Sequence, residues 1–351
     1  MQSSLFTEAT SPFPTTRYQG SKAKLINWIW DHLKSHEFVT CLDAFGGTGV
    51  VSHRLKKEGK AITYNDILTF NSTIATGLIE NNRHKISALE LNLLTEKDSS
   101  RIYPTFIADT FKDIYFTQEE NELLDIAAIN AKDINNKYIR SLAYFCIYQA
   151  CIVKRPYNLF HRKNLYVRLA DVKRSFGNKT SWDRSFQSWM NSIATEANNA
   201  VFRGKEICKV LNKDVVEIET EYDLVYIDPP YTSGKGIGID YRDFYHFLEG
   251  LTNYSNWKNF IDYNSKHRRL EQIKNPWSSK NDVTNTFANI FEQFKDSILV
   301  VSYRSDGIPS VNELKTLLKK FKKNVEVHIY VNYKYVLSKN NKSSEILLIG
   351  Y

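Results

Sequence analysis

Cysteine is scarce in this 351-residue chain, and none of it is spaced for metal or redox work. Cys41, Cys146, Cys151 and Cys208 form no C-x-x-C pair and sit among apolar neighbours, so they read as small reduced core residues. His161, His246 and His267 also lack ligand spacing, and no metal is expected. No apolar run approaches the roughly 20 residues that span a bilayer. The first residues, Met1-Gln2-Ser3-Ser4, lack the basic and apolar regions of a secretion signal, so no membrane partner and a cytoplasmic location are the expectation. Repeats and low-complexity tracts are absent too. With only 14 glycines and 8 prolines, the places where these residues cluster stand out.

Two prolines cluster in Asp228-Pro229-Pro230-Tyr231. The preceding Leu224-Val225-Tyr226-Ile227 is β-branched and aromatic, and predicts a short buried strand. Each proline lacks an N–H and biases its predecessor towards extended geometry, so the strand stops there. A stiff loop results, holding a carboxylate, bare carbonyls and an aromatic ring at a strand's carboxyl end. Ligands bind at that place in open α/β sheets.

Three glycines cluster in Asp43-Ala44-Phe45-Gly46-Gly47-Thr48-Gly49, after the strand candidate Phe38–Asp43. The helix Val50–Lys57 and the strand Ala61–Tyr64 follow, ending at Asn65-Asp66. Strand, glycine turn, helix, strand and acid make one half of a nucleotide-binding α/β unit. The turn lacks both the GxGxxG dinucleotide fingerprint and the Gly-Lys-Ser/Thr end of a phosphate loop. Asp43 would repel a phosphate but suits an ammonium group, and Asp66 stands where ribose hydroxyls are gripped. The ligand so described is a positively charged nucleoside without phosphate, a description that S-adenosylmethionine meets.

An amphipathic helix is expected over Lys22–Leu33. From Ile67 to Asn212 the pattern turns helical and irregular. The βαβ rhythm resumes with Lys209-Val210-Leu211, Leu224–Ile227 and Ser297–Ser302, and Val325–Val331 with Glu345–Ile349 reads as a closing antiparallel pair. The fold class is therefore α/β, a doubly wound sheet interrupted by a mostly helical insertion. Asn253–Asn281 is polar and lysine-rich, and reads as a surface excursion. The glycine loop Gly234–Gly238 is either a lid or a connector, and Lys315, Lys319, Lys320, Lys322 and Lys323 read as a solvated helix face.

Net charge is +8, and Cys151–Met190 alone carries +7 of it. In that stretch nine Lys/Arg, among them Lys154, Arg155, Arg162, Lys163 and Arg168, interleave with seven aromatics including Tyr157. Basic residues among aromatics suit a polyanion with stackable bases.

Taken in order, these segments resemble the Dam-like, alpha-class adenine-specific DNA methyltransferases. The order is Arg17-Tyr18-Gln19-Gly20-Ser21-Lys22, then Asp43–Gly49, Asn65-Asp66, the basic insertion, Lys209–Asp214 and Asp228–Tyr231. Arg155-Pro156-Tyr157-Asn158-Leu159-Phe160-His161-Arg162 loosely resembles the family's Asn/Gly/Arg-rich stretch, departing from it in detail. The resemblance implies a Rossmann-like S-adenosylmethionine-dependent methyltransferase sheet over 1–66 and 209–351, with an inserted target-recognition region over 67–208. It implies methylation of adenine N6 in duplex DNA by base flipping, within a restriction-modification system whose endonuclease reads the same site. Tyr18, Lys22, Asp43, Phe45, Gly47, Asp66, Asp214 and Asp228 are then expected to contact the cofactor. Asp228 and the Pro229 carbonyl would orient the adenine amine, with Pro230 stiffening the loop and Tyr231 stacking on the base. Lys154, Arg155, Tyr157, Arg162, Lys163 and Arg168 would contact DNA. RNA or cytosine-N4 methylation shares the tetrapeptide chemistry. A non-catalytic DNA-binding module would explain the basic insertion alone.

Overall fold

A computed structural model describes residues 12–172, 179–233, 240–331 and 343–351. The glycine loop 234–238 lies outside the described residues, as do Lys173, Arg174 and Phe176 of the basic stretch. Seven strands form the central sheet: β1 (Thr40–Asp43), β2 (Ala61–Asn65), β3 (Lys209–Leu211), β4 (Leu224–Ile227), β6 (Ile298–Arg304), β8 (Val325–Tyr330) and β9 (Glu345–Gly350). Their spatial order is β3-β2-β1-β4-β6-β9-β8. A small second sheet pairs β5 (Thr232–Ser233) with β7 (Gly307–Ile308).

Strands β3, β2, β1, β4 and β6 pair in parallel. Every residue of β4 is buried, as expected for a strand covered on both faces, and this explains its unbroken apolar run. From β1 the chain winds outward to β2 and β3, then returns to β4 on β1's other side. The strand order reverses at that point, which opens a crevice beyond the carboxyl ends of β1 and β4. Strand β9 slots antiparallel between β6 and β8, from Tyr330↔Glu345 to Val325↔Gly350. The expected closing pair is thus present.

Helix Val50–Lys57 has the expected bounds, whereas the first helix begins at Ile26 instead of Lys22. Lys22 lies ahead of it in a turn closed by Leu25 N–H donating to the Lys22 carbonyl (2.8 Å). Between β2 and β3 the chain is helical, and the central helix Lys137–Val153 is buried continuously from Ser141 onward. Its Leu142, Phe145 and Tyr148 share one apolar core with Cys41, Ile62 and Tyr226 of the sheet. The opposite sheet face packs Val225, Leu299 and Leu348 against Phe287 and Phe291 of helix Val283–Gln293. Asn253–Asn281 is not merely a surface excursion, because Trp257, Ile261, Leu270 and Trp277 within it are buried. These apolar residues tie down a segment whose polar composition hides them. All four cysteines are buried. Among the described residues no helix is long and apolar enough to cross a membrane.

Candidate active site

The crevice is a cavity of about 620 Å³, lined at its floor by the glycine turn and the Asp228 loop. That volume is in the range of small-molecule sites. Two glycines shape the turn for different reasons. A Cβ on Gly46 would stand 2.0 Å from Cε2 of Tyr64, whose ring is fully buried and whose hydroxyl donates to the Gly47 carbonyl (2.7 Å). Gly47 has room for a Cβ, its nearest neighbour being 3.8 Å away, but φ is +50°, where side chains are disfavoured.

Asp66 is pinned by three donors: Gly47 N–H (2.9 Å), Leu68 N–H (2.8 Å) and Asn71 Nδ2 (3.1 Å). Burial still raises its pKa to about 6 against those bonds. Asp43 ends β1 and accepts from Ser52 Oγ (2.7 Å), and burial pushes its carboxyl up to about 7. A carboxyl raised this far by burial gains from ionising when a cation arrives. Tyr18 stacks on Tyr245 (4.5 Å between centroids) and on Tyr241 (5.7 Å), and Asn71 Nδ2 reaches its hydroxyl (3.3 Å). Phe45 meets Trp277 edge-on at 4.9 Å. Asp214, exposed at the cavity rim, caps its own turn by accepting from Val216 N–H (3.3 Å). All eight expected cofactor residues line this one cavity.

Asp228 sits among a cation, a phenol and a second acid. Lys22 Nζ lies 3.2 Å from Asp228 Oδ1, 2.5 Å from the Tyr231 hydroxyl and 2.8 Å from Glu345 Oε1. Tyr231 in turn donates to Asp228 Oδ1 at 2.5 Å. Both contacts fall on Oδ1; among the described residues, Oδ2 and the Pro229 carbonyl accept nothing. Burial raises the Asp228 pKa to about 6, with Lys22 opposing and Glu345 reinforcing the rise. Burial alone would depress the Lys22 pKa, but the two carboxylates outweigh it and hold the ammonium charged. Tyr231 was expected to offer its face to a base, yet only 5% of it is exposed. Here its hydroxyl serves Asp228 while its ring packs edge-on against Tyr303 (5.6 Å).

Glu345 is the site residue that the sequence reading missed. It is wholly buried and also accepts from Ser302 Oγ (2.8 Å). A signal was present: an acid opening the otherwise apolar strand Glu-Ile-Leu-Leu-Ile-Gly must be either paired or costly.

The basic stretch divides in two. Tyr157, Arg162 and Lys163 are exposed, and Tyr157 and Asn158 both adopt left-handed backbone (φ +65° and +59°). Lys154, Arg155 and Arg168 are buried, which corrects the expectation that they meet DNA. Arg168 grips Glu120 through two bonds of 2.8 Å, and Lys154 pairs with the same acid at 2.9 Å. Arg155 stacks over Tyr115 at 4.1 Å and donates to the carbonyls of Tyr115, Leu159 and Arg162. These three charges brace the loop that carries Tyr157 and Arg162.

Comparison with known proteins agrees with this geometry. Type II methyltransferase M2.HphI of Haemophilus parahaemolyticus is 28% identical over 349 residues, 96% of this chain and 97% of that protein. Type II methyltransferase M.NlaIII of Neisseria lactamica is 23% identical, covering 87% of this chain and 88% of its own. Modification methylase LlaI of Lactococcus lactis subsp. lactis is 24% identical over 93% of this chain, which spans only 52% of that longer protein. A family profile described as D12 class N6 adenine-specific DNA methyltransferase matches residues 18–317, from Tyr18 past β7. With the glycine turn, the strand-ending acid and the Asp228 loop all inside that match, the chain belongs to the D12 class of N6 adenine-specific DNA methyltransferases.

Proposed function

We propose that this enzyme takes the methyl from S-adenosylmethionine and places it on N6 of one adenine in a specific duplex DNA site. When bound, that donor supplies a sulfonium methyl and carries the ammonium and ribose that the crevice suits. Asp43 would face the ammonium and Asp66 the ribose hydroxyls, with Gly47 leaving room for close approach. Tyr18, Phe45 and Asp214 would close the walls around the nucleoside. Lys22 acts at the other end of the crevice, through Asp228.

One observation carries the reading: Asp228 is fixed through Oδ1, which leaves Oδ2 and the Pro229 carbonyl as adjacent acceptors at the carboxyl end of β4. An exocyclic adenine amine is a poor nucleophile, because its lone pair is delocalised into the ring. Two acceptors that each take one amino hydrogen hold the nitrogen with its lone pair turned out of the ring plane, a positioning effect. Pro230 keeps the loop stiff, and the Tyr231 hydroxyl sets the carboxylate plane. The base must leave the duplex to reach this depth. Tyr157, Arg162 and Lys163 supply stacking and phosphate contacts from the braced loop of the 67–208 region. Such an enzyme would protect a site read by a cognate restriction endonuclease, a reading compatible with relatives named Type II methyltransferase or modification methylase.

The test is tritiated-methyl transfer to duplex DNA, with tRNA and protein as parallel acceptors. Asp228→Ala is expected to abolish transfer to DNA while preserving donor binding. Unimpaired turnover of that variant, or transfer to tRNA alone, would overturn the reading.

A further inference from the structure

We propose that Glu345 is a positioning residue for methyl transfer: by sharing the Lys22 ammonium it keeps Asp228 free to receive the adenine amine. Glu345 lies beyond the stretch matched by the family profile and opens the last strand, 323 residues from Lys22. This inference rests on the role given to Asp228 above.

The argument is one of counting charges and hydrogens. An ammonium has three N–H donors. Those of Lys22 are spent on the Tyr231 hydroxyl, Asp228 and Glu345. One cation thus serves two carboxylates, and it stands closer to Glu345 (2.8 Å) than to Asp228 (3.2 Å). Both acids are shielded, with side-chain exposures of 16% for Asp228 and 0% for Glu345, so Coulomb forces between them are weakly screened.

Without Glu345, Lys22 would keep Asp228 as its remaining carboxylate partner, beside the Tyr231 hydroxyl, and would close onto it. A carboxylate in a tight buried ion pair offers less charge and less freedom to a neutral amine. With Glu345 present the trio carries one net negative charge, and Asp228 keeps an acceptor oxygen facing the cavity. Ser302 fixes Glu345 from behind, through the same oxygen that Lys22 uses.

Other titratable groups stand near enough to feel the Asp228 charge: Asp43 on β1, Tyr226 on β4 and Tyr241 at the cavity wall, while Tyr231 bonds to it directly. Glu345 is the added acid that raises the pKa of Asp228. Removing its charge must therefore let that pKa fall.

The experiment compares Glu345→Gln with wild type in single-turnover methyl transfer across pH, with donor and DNA affinities measured separately. The expected loss in rate is on the order of 10- to 100-fold, as for a misplaced reacting group. Both affinities should stay within about threefold, because a positioning effect appears in the chemical step. The acid limb of the rate profile should move to lower pH, a change that a purely structural role would not produce. An unchanged rate, or an unmoved acid limb, would overturn the proposal.

Should Glu345→Gln fail to fold, Lys22→Met with and without Glu345→Gln gives a second arm. A residue acting through Lys22 should cause no further rate loss once Lys22 is gone. A further loss in the double variant overturns the inference. Retained turnover in Asp228→Ala would instead sink the site assignment itself. A dead Asp228→Ala beside a fully active Glu345→Gln removes only the role of Glu345.

Discussion

Adding one methyl group to the glycine turn should do its damage by different routes at two adjacent positions. At Gly46 the new Cβ would lie 2.0, 2.4 and 2.6 Å from Cε2, Cδ2 and Cζ of Tyr64. That ring is wholly buried on β2 and its hydroxyl is bonded to the turn, so neither side can yield cheaply. Overpacking of this kind costs about 1–3 kcal/mol. Losing the Tyr64–Gly47 bond adds about 1 kcal/mol. Gly46→Ala should therefore lose about 2–4 kcal/mol in urea unfolding, and should bind donor poorly because the turn is displaced. At Gly47 the Cβ meets only Tyr18 at 3.8 Å and the Phe45 carbonyl at 3.9 Å, so the stability cost is the left-handed backbone alone, about 1–2 kcal/mol. That Cβ stands in the crevice, however, and should weaken donor binding tenfold or more, about 1.4 kcal/mol or above. Calorimetric titration with S-adenosylmethionine, read beside the unfolding curves, separates the two. Tyr64→Val in the Gly46→Ala background should cost less than in wild type, as expected when a clash is relieved. Wild-type stability in Gly46→Ala, or tight binding in Gly47→Ala, would refute the reasoning.

Other perturbations have equally definite signs. Arg162→Ala with Lys163→Ala should weaken DNA binding and reduce the salt slope by about 0.9 for each phosphate no longer neutralised, without moving the melting temperature. Arg168→Met should instead destabilise by about 3 kcal/mol, the low end for a broken buried pair, since Lys154 still meets Glu120. A normal melt for that variant would contradict its bracing role. Donor affinity should rise with pH: burial lifts Asp66 to about 6 and Asp43 to about 7, and bound ribose hydroxyls and ammonium favour their ionised forms. The gain is lost as pH falls through those values. Proton release on binding, seen by calorimetry in buffers of different ionisation heat, checks this, and affinity flat from about pH 5 to 8 would refute it.

What could be read from the sequence was what is local. Leu224–Ile227, Lys209–Leu211 and Val50–Lys57 stand as expected, because apolar runs and flanking glycines or prolines act within a few residues. That the eight residues expected at the cofactor would meet in one cavity was legible for a related reason: most of them close or follow a strand, and parallel pairing brings strand ends together. Burial of the basic residues was not legible. Lys154, Arg155 and Arg168 look like their exposed neighbours Arg162 and Lys163, and the groups that hold them, Glu120 and the Tyr115 carbonyl, lie 34 to 53 residues upstream. A charge count cannot separate a lysine that meets phosphate from one that meets a buried acid. The inward placement of Tyr231 was not legible either, since one of the groups that hold its hydroxyl, Lys22, lies 209 positions earlier.

The antiparallel insertion of β9 explains how an acid from the far end of the chain reaches this site. Parallel strands bring their last residues to the crevice, and β4 delivers Asp228 there. A further parallel strand between β6 and β8 would place its final residue at that edge and its first at the opposite one. Reversed, β9 presents its first residue instead, and Glu345 pairs with Arg304 at the carboxyl end of β6. From there its side chain crosses diagonally to Ser302 and on to Lys22. The apolar remainder of the strand runs back through the core, buried at every position. Pairing of the last strand and the ion pair beside Asp228 are therefore coupled: β9 cannot slip its register without also withdrawing Glu345 from Lys22.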